Sequence, residues 1–472
     1  MKKNKLYIPV LIIVSLLSGG CKKYLDINQN PNAAEEPPIN GLLANVTYST
    51  AYTVYDIGDQ TSYYVQYLAS PNAASASDTY DNISSGASSI WGDIYSELTD
   101  LHDMRNIAVG KGLNAYVGVS DILLALHLNM SANIWGDIPY SEAFQGVNNP
   151  TPKFDNQKLL YDSCIQLLDA GIAALQQPDA AGELDKPSDF IHGGSAGAWI
   201  KTAHALKARM LNQVSKTAQY DAGKVLSEIS SAYTANGDDA QVTIFTVRNP
   251  WAQVAINNAG LDLDGWLSSY FVNASNGVTY GVFDPRLPLI GTLTKFGDYR
   301  GTTNGAGRIG TGTSMEESYI GEDEWYSSTN SPLQIITYAE CLCTKAEAAF
   351  RNTDMSTAYT AYIAGITASM KKLAVPADSI TKYLANPAVS VGASNLTLKL
   401  IMKEKYVACF LMPVTWDDMR RFDYSYKNFS LPVNATLPTF IRRLDYPGSE
   451  ISRNGSNVPD VSRTDHLWWD MP

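Results

Sequence analysis

The sequence predicts a mainly α-helical protein: consecutive helix pairs forming an α-α superhelix scaffold, interrupted by a loop-rich insertion bearing short strands. Three observations predict it. Apolar residues recur at spacings of three and four through 41–236 and again through 333–412. Small residues fall where neighbouring helices would approach closely. Between them, 237–332 loses helical periodicity, and Gly, Asn, Ser, Thr and Asp dominate. Successive pairs that bury their faces only against their neighbours are the signature of tetratricopeptide-like stacking, here too degenerate for a strict consensus.

The first helical pattern covers 42–68, and Pro71 opens a loop to about Ser89. Patterns over 90–109 and 113–135 follow, separated by Gly110 and Gly112. The second stops at Trp135-Gly136-Asp137-Ile138-Pro139-Tyr140, where Gly and Pro break the helix. In 154–175, Leu160, Cys164, Leu167, Gly171 and Leu175 share one face. After a loop over 178–194, Trp199, Ala203, Leu206, Met210 and Val214 form another stripe, and a shorter helix covers 220–233. So long a stretch without periodicity as 237–332 is more often functional than idle, which makes it the ligand side. Helices return over 333–350, with Ile335, Ala339, Leu342, Ala346 and Ala349 aligned, then over 356–373 and 396–412, ending at Pro413. The remainder, 413–472, reads as a C-terminal tail.

The N-terminus sets the location. Lys2, Lys3 and Lys5 precede an apolar run over 6–17, then small residues, then Cys21. This is a secretory leader over 1–20, too short to span a membrane. A cysteine directly after small residues is a lipidation site, so Cys21 is expected to anchor the mature chain to a membrane surface. Ser18 departs from the usual pattern, in which Leu stands three residues before the cysteine; the competing reading is plain cleavage with Cys21 incidental. A polar tether over 21–40, with Ile27-Asn28-Gln29-Asn30-Pro31-Asn32 within it, leads to the body at 41–472.

A net charge of −12 argues against nucleic acid and anionic lipid as partners, since both need a basic face. With 28 Tyr and 9 Trp against 12 Phe, aromatic rings carrying a polar edge are in excess, which suits a wet binding surface. Cys164, Cys341, Cys343 and Cys409 sit in apolar helical patterns and are expected as buried thiols. No metal site and no cofactor are expected, because neither paired His nor CxxC spacing occurs. Gly193-Gly194-Ser195-Ala196-Gly197 fits a nucleophile elbow, but no strand precedes it, so Ser195 reads as a helix cap. Gly305-Ala306-Gly307-Arg308-Ile309-Gly310 fits GxGxxG without the strand and helix that a phosphate cradle needs. Asp262-Leu263-Asp264-Gly265 resembles the start of a calcium loop but lacks its remaining ligands.

Four segments, in order, resemble the SusD/RagB family of nutrient-binding outer-membrane lipoproteins. They are Cys21 with Tyr24-Leu25-Asp26 and Asn30-Pro31-Asn32; Asp189, Gly193-Gly194, Trp199 and Leu206-Lys207-Ala208-Arg209; Thr337-Tyr338-Ala339-Glu340 with Lys345-Ala346-Glu347-Ala348; and Lys403-Glu404-Lys405-Tyr406 with Trp416-Asp417-Asp418-Met419-Arg420-Arg421 and Arg442-Arg443-Leu444-Asp445-Tyr446-Pro447. Most of these residues are expected to serve the fold. The resemblance implies a non-catalytic, lipid-anchored protein on the cell surface, lying on a SusC-like TonB-dependent transporter and delivering oligosaccharides, or in some members peptides, into it. A surface glycoside hydrolase and an assembly scaffold are the other classes considered. The family's ligand residues follow no motif, so the candidates rest on loop context: Tyr80, Trp251, Trp266, Tyr270, Trp325 and Tyr326. For each, the competing reading is a half-buried packing ring.

Overall fold

The computed structural model describes residues 37–81, 84–177, 184–261, 264–311 and 314–472. The leader, Cys21 and the tether through residue 36 lie outside the described residues. The chain is mainly helical. After α1 (Ile39–Ser62) and the one-turn α2 (Ala76–Thr79), α3 (Ser84–Lys111), α4 (Asn114–Trp135), α5 (Gln157–Leu175), α6 (Ala196–Gln213) and α7 (Ala222–Ser231) pack each against the next. α8 (Pro250–Leu261) and α9 (Ser269–Ser275) lie in the looped half. α10 (Tyr338–Arg351) then packs on α7 and pairs with α11 (Met355–Lys372), extending the row. α12 (Ala377–Leu384), α13 (Leu398–Ala408), α14 (Val414–Arg421) and α15 (Gly448–Asn454) complete the chain. Two antiparallel two-stranded ladders accompany them: β1 (Leu68–Ala69) with β3 (Trp266–Leu267), and β2 (Ala240–Val242) with β4 (Leu333–Ile336).

Local chemistry accounts for the helix ends. Asn156, Ser195, Asp221, Thr337, Asp354 and Thr397 each accept a backbone N–H of the first turn that follows, satisfying donors the helix itself leaves open. The Trp199–Val214 stripe is wholly buried. Gly118 and Gly171 mark the closest approach of α4 and α5: a Cβ on Gly118 would lie 2.9 Å from the Gly171 carbonyl oxygen and 2.5 Å from Leu175 Cγ. α4 is long and apolar enough to cross a membrane, yet 89% of its most apolar window is buried inside the protein, as a central core helix. The four described cysteines are buried free thiols.

The structure differs from the sequence reading at several element boundaries. Residues 333–336 form β4 rather than the start of a helix. The run Leu333-Gln334-Ile335-Ile336 is buried at all four positions, which suits a strand covered on both faces, and Thr337 then caps α10. The 237–332 region contains α8 and α9, and the tail contains α14 and α15. α13 ends at Ala408, four residues before its expected end, because Leu411 takes φ +64° and turns the chain. Pro413 sits just before α14, where its missing N–H costs no helical bond.

Buried ions tie the row to the tail. Arg421 Nη2 donates to Glu347 Oε2 at 2.5 Å and to Asp418 Oδ1 at 2.7 Å; Lys405 meets Asp418 at 3.0 Å; and Asn212 Nδ2 donates to Glu347 at 2.9 Å. Helices α6, α10, α13 and α14 thus meet in one network. Burial alone would raise the Glu347 pKa, but Arg421, Arg351 and Lys405 hold it well below the usual carboxylate range. Arg420 lies over Trp416 at 3.8 Å and near Trp469 at 4.9 Å, while Arg442 reaches Asp470 at 3.1 Å. Asp189 accepts from the N–H groups of Ile191, His192 and Gly194 and from Trp199 Nε1. These charged positions in the resembling segments serve the fold.

Where α1 meets the looped half, Tyr63 donates to Asp264 and Asp59 lies close by. One Asp59 oxygen is sealed from solvent without a hydrogen-bond partner among the described residues. Burial, then Asp264 and Asp56, push its pKa up to about 8. A carboxyl raised above its unfolded value of about 3.9 stabilises the fold fully at low pH and loses that contribution as pH rises through the folded value. Asp59→Asn is therefore expected to stabilise the protein by about 1–2 kcal/mol near pH 8 and by much less near pH 4. Thermal melts at the two pH values check this; an equal shift at both would contradict it.

Candidate functional site

The six aromatic candidates do not converge on one cleft. Tyr80 takes φ +64° and is buried against Tyr64, with ring centroids 5.8 Å apart. Trp251 packs edge-on to Tyr55 at 4.8 Å, and Tyr326 packs on Phe410 at 5.2 Å. Trp266 is 1% exposed, in β3, with the Arg308 guanidinium 3.7 Å above its ring and Tyr319 at its edge. Tyr270 is buried against Phe429 at 4.7 Å. For Tyr80, Trp251, Trp266, Tyr270 and Tyr326 the expected docking face therefore gives way to a packing role, because neighbouring rings or guanidinium groups already occupy it. Trp325 alone is half-exposed, beside Tyr326 at 4.7 Å.

Tyr270 nevertheless leads to a site. It lies in the wall of a groove of about 180 Å³ between α9 and the tail loop 428–433. Ser268 caps α9 through the Tyr270 N–H, which aims Ser269 and Asn273 into the groove. Asn304 fixes the floor: its Nδ2 donates to the Leu68 carbonyl and to Asp78 Oδ1, both at 2.8 Å, and its Oδ1 accepts from Ser268 Oγ at 2.6 Å. The tail loop is held by Val433 N–H to the Asn304 carbonyl at 3.0 Å and by Gln66 Nε2 to the Ser430 carbonyl at 2.7 Å. The side chains of Asn273 and Asn428 make no hydrogen bond among the described residues. Val278, 73% exposed, and Val433, 46% exposed, form apolar rims. Two unengaged amides, hydroxyls of Ser269 and Thr303 and an apolar rim can read a hydroxyl-rich ring with one C–H face.

Gly305 and Gly307, from the GxGxxG match, support this floor rather than a phosphate. A Cβ at Gly305 would fall 1.8 Å from the Val433 carbonyl oxygen, and one at Gly307 would fall 2.5 Å from the Ala73 nitrogen. Ser195 caps α6, accepting from Ala198 N–H, as the sequence predicts. Asp262 and Leu263 of the calcium-loop match lie outside the described residues. No cluster of three metal-ligating side chains occurs among the described residues. Sequence reasoning missed Asn273, Thr303 and Asn428, because an Asn or Thr in a polar stretch looks the same whether or not folding turns it into a groove.

A row of helix pairs holding a looped half with a neutral cleft defines a helical-repeat protein with a binding-type site. Residues 31–447 match the family profile SusD-like, "Starch-binding associating with outer membrane", and the chain belongs to this family. Solved structures of the same fold include a SusD/RagB family protein from Bacteroides thetaiotaomicron, 22% identical over 92% of this chain and 98% of that one, with a TM-score of 0.73. A chitin-binding SusD homologue from Flavobacterium johnsoniae is 20% identical over 92% and 98%, with a TM-score of 0.76. A SusD homologue from Bacteroides ovatus is 19% identical over the same shares, with a TM-score of 0.75. No curated protein matches the chain.

Proposed function

We propose that the protein captures oligosaccharides at the cell surface through the groove between α9 and the tail loop, without cleaving them, and hands them to a SusC-like TonB-dependent transporter. The observation that carries this reading is the pair of unengaged amides, Asn273 and Asn428, facing a cleft bordered by exposed Val278 and Val433. Hydrogen bonds to such amides are directional and fix which hydroxyls fit, while the apolar rim accepts a ring face. No carboxyl side chain lines the groove, so the pair of acids that glycoside hydrolysis needs is missing from its described lining. The family description, starch-binding, and the chitin-binding homologue of the same fold support a glycan as the ligand class.

Asn273→Ala is expected to weaken binding to a retained neutral polysaccharide about three- to tenfold, the worth of roughly one hydrogen bond. Affinity electrophoresis in gels carrying starch or soluble chitin derivatives measures it, and unchanged retention would move the site elsewhere. The reading includes a lipid on Cys21. Cys21→Ser should release the folded body from membrane fractions, and persistent retention would count against the anchor.

A further inference from the structure

The groove has one property that glycan binding alone does not require: its hydrogen-bonding side chains are uncharged. Gln66, Ser269, Asn273, Thr303, Asn304 and Asn428 are among them. Two charges flank the groove, a carboxylate under its floor and an ammonium at one end. Asp78 lies directly under the floor, bonded to Asn304 Nδ2 at 2.8 Å and to the Gly305 N–H at 2.8 Å. At one end, the Lys427 ammonium already donates to the Thr279 carbonyl at 2.7 Å and lies 5.6 Å from the Tyr280 ring centroid. The whole chain adds a net −12. A carboxylate or sulfate over the floor would lose water above the Asp78 carboxylate, with no cation among the lining residues and Lys427 only at one end.

Size limits the ligand as well. The groove's roughly 180 Å³ is below the ~300–1,000 Å³ of an ordinary small-molecule site, so it holds about one sugar ring while the rest of a chain runs over the Val278 and Val433 rims. Resting on the glycan-binding reading, we infer that the groove selects a neutral, unsulfated sugar unit and rejects uronate-bearing and sulfated glycans. Selection of this kind needs no clash, only a lining without cations over a buried carboxylate.

The test is titration calorimetry of the full chain with matched pairs, such as oligogalacturonate against its carboxyl-reduced form and chondroitin sulfate against its desulfated, carboxyl-reduced form, alongside malto- and chito-oligosaccharides. The expected result is binding of at least one neutral member about tenfold or more tighter than its acidic counterpart. That binding should change less than about twofold between roughly 0.05 and 0.5 M salt, because no ion pair forms. Thr303→Lys places a cation at the groove and should narrow the gap by raising affinity for the acidic member. Equal or tighter binding of the acidic member would overturn the selection while leaving glycan capture standing. Binding of no member at all would overturn both.

Discussion

Arg421→Ala is expected to cost about 3–5 kcal/mol, because it strands two buried carboxylates at once. Glu347 and Asp418 are both buried, and Arg421 bridges them. The loss comes chiefly from what remains: Lys405 still faces Asp418 and Arg351 still faces Glu347, but neither replaces the bidentate guanidinium. Adding Glu347→Gln should recover part of the loss, since one stranded charge is then neutral. Urea unfolding of the single and double variants measures both values. A single-variant loss under about 1 kcal/mol would mean that water or rearrangement satisfies the pair.

Trp266→Ala is expected to lose about 3–5 kcal/mol, the scale of a large ring removed from a tight core. At 1% exposure the indole fills the space between Arg308 and Tyr319, and it sits in the strand that pairs Leu267 with Leu68. Its N–H has no acceptor among the described residues, so its contribution is packing and the guanidinium stack. Glycan affinity of the fraction that folds should stay within about twofold of the parent, since Trp266 is outside the groove. Unchanged stability with lost binding would restore this ring as a ligand platform.

Helical spacing carried much of the scaffold. Trp199, Ala203, Leu206, Met210 and Val214 are all buried as one stripe, and Gly171 is where two helices meet. Spacing failed where length and pairing decide. A short run such as Leu333–Ile336, apolar at three of its four positions, fits a buried strand or a helix start equally well, and only its pairing with β2 resolves it. The site was the least legible part. Trp251 and Trp325 both stand within the aperiodic 237–332 region, yet Tyr55 covers the first, in α8, while the second stays half-exposed. Burial of a loop aromatic depends on which distant segment folds over it, and the unengaged state of Asn273 depends on α9, the Asn304 floor and the tail loop together. None of these is a local pattern.

The most direct measurement follows one mixture of purified full chain and a retained neutral oligosaccharide by two readouts, bound ligand and new reducing ends. Saturable binding that Asn273→Ala weakens, with no reducing ends beyond the protein-free control, is the expected outcome. Accumulating reducing ends, or binding that Asn273→Ala leaves untouched, would contradict non-catalytic capture in this groove.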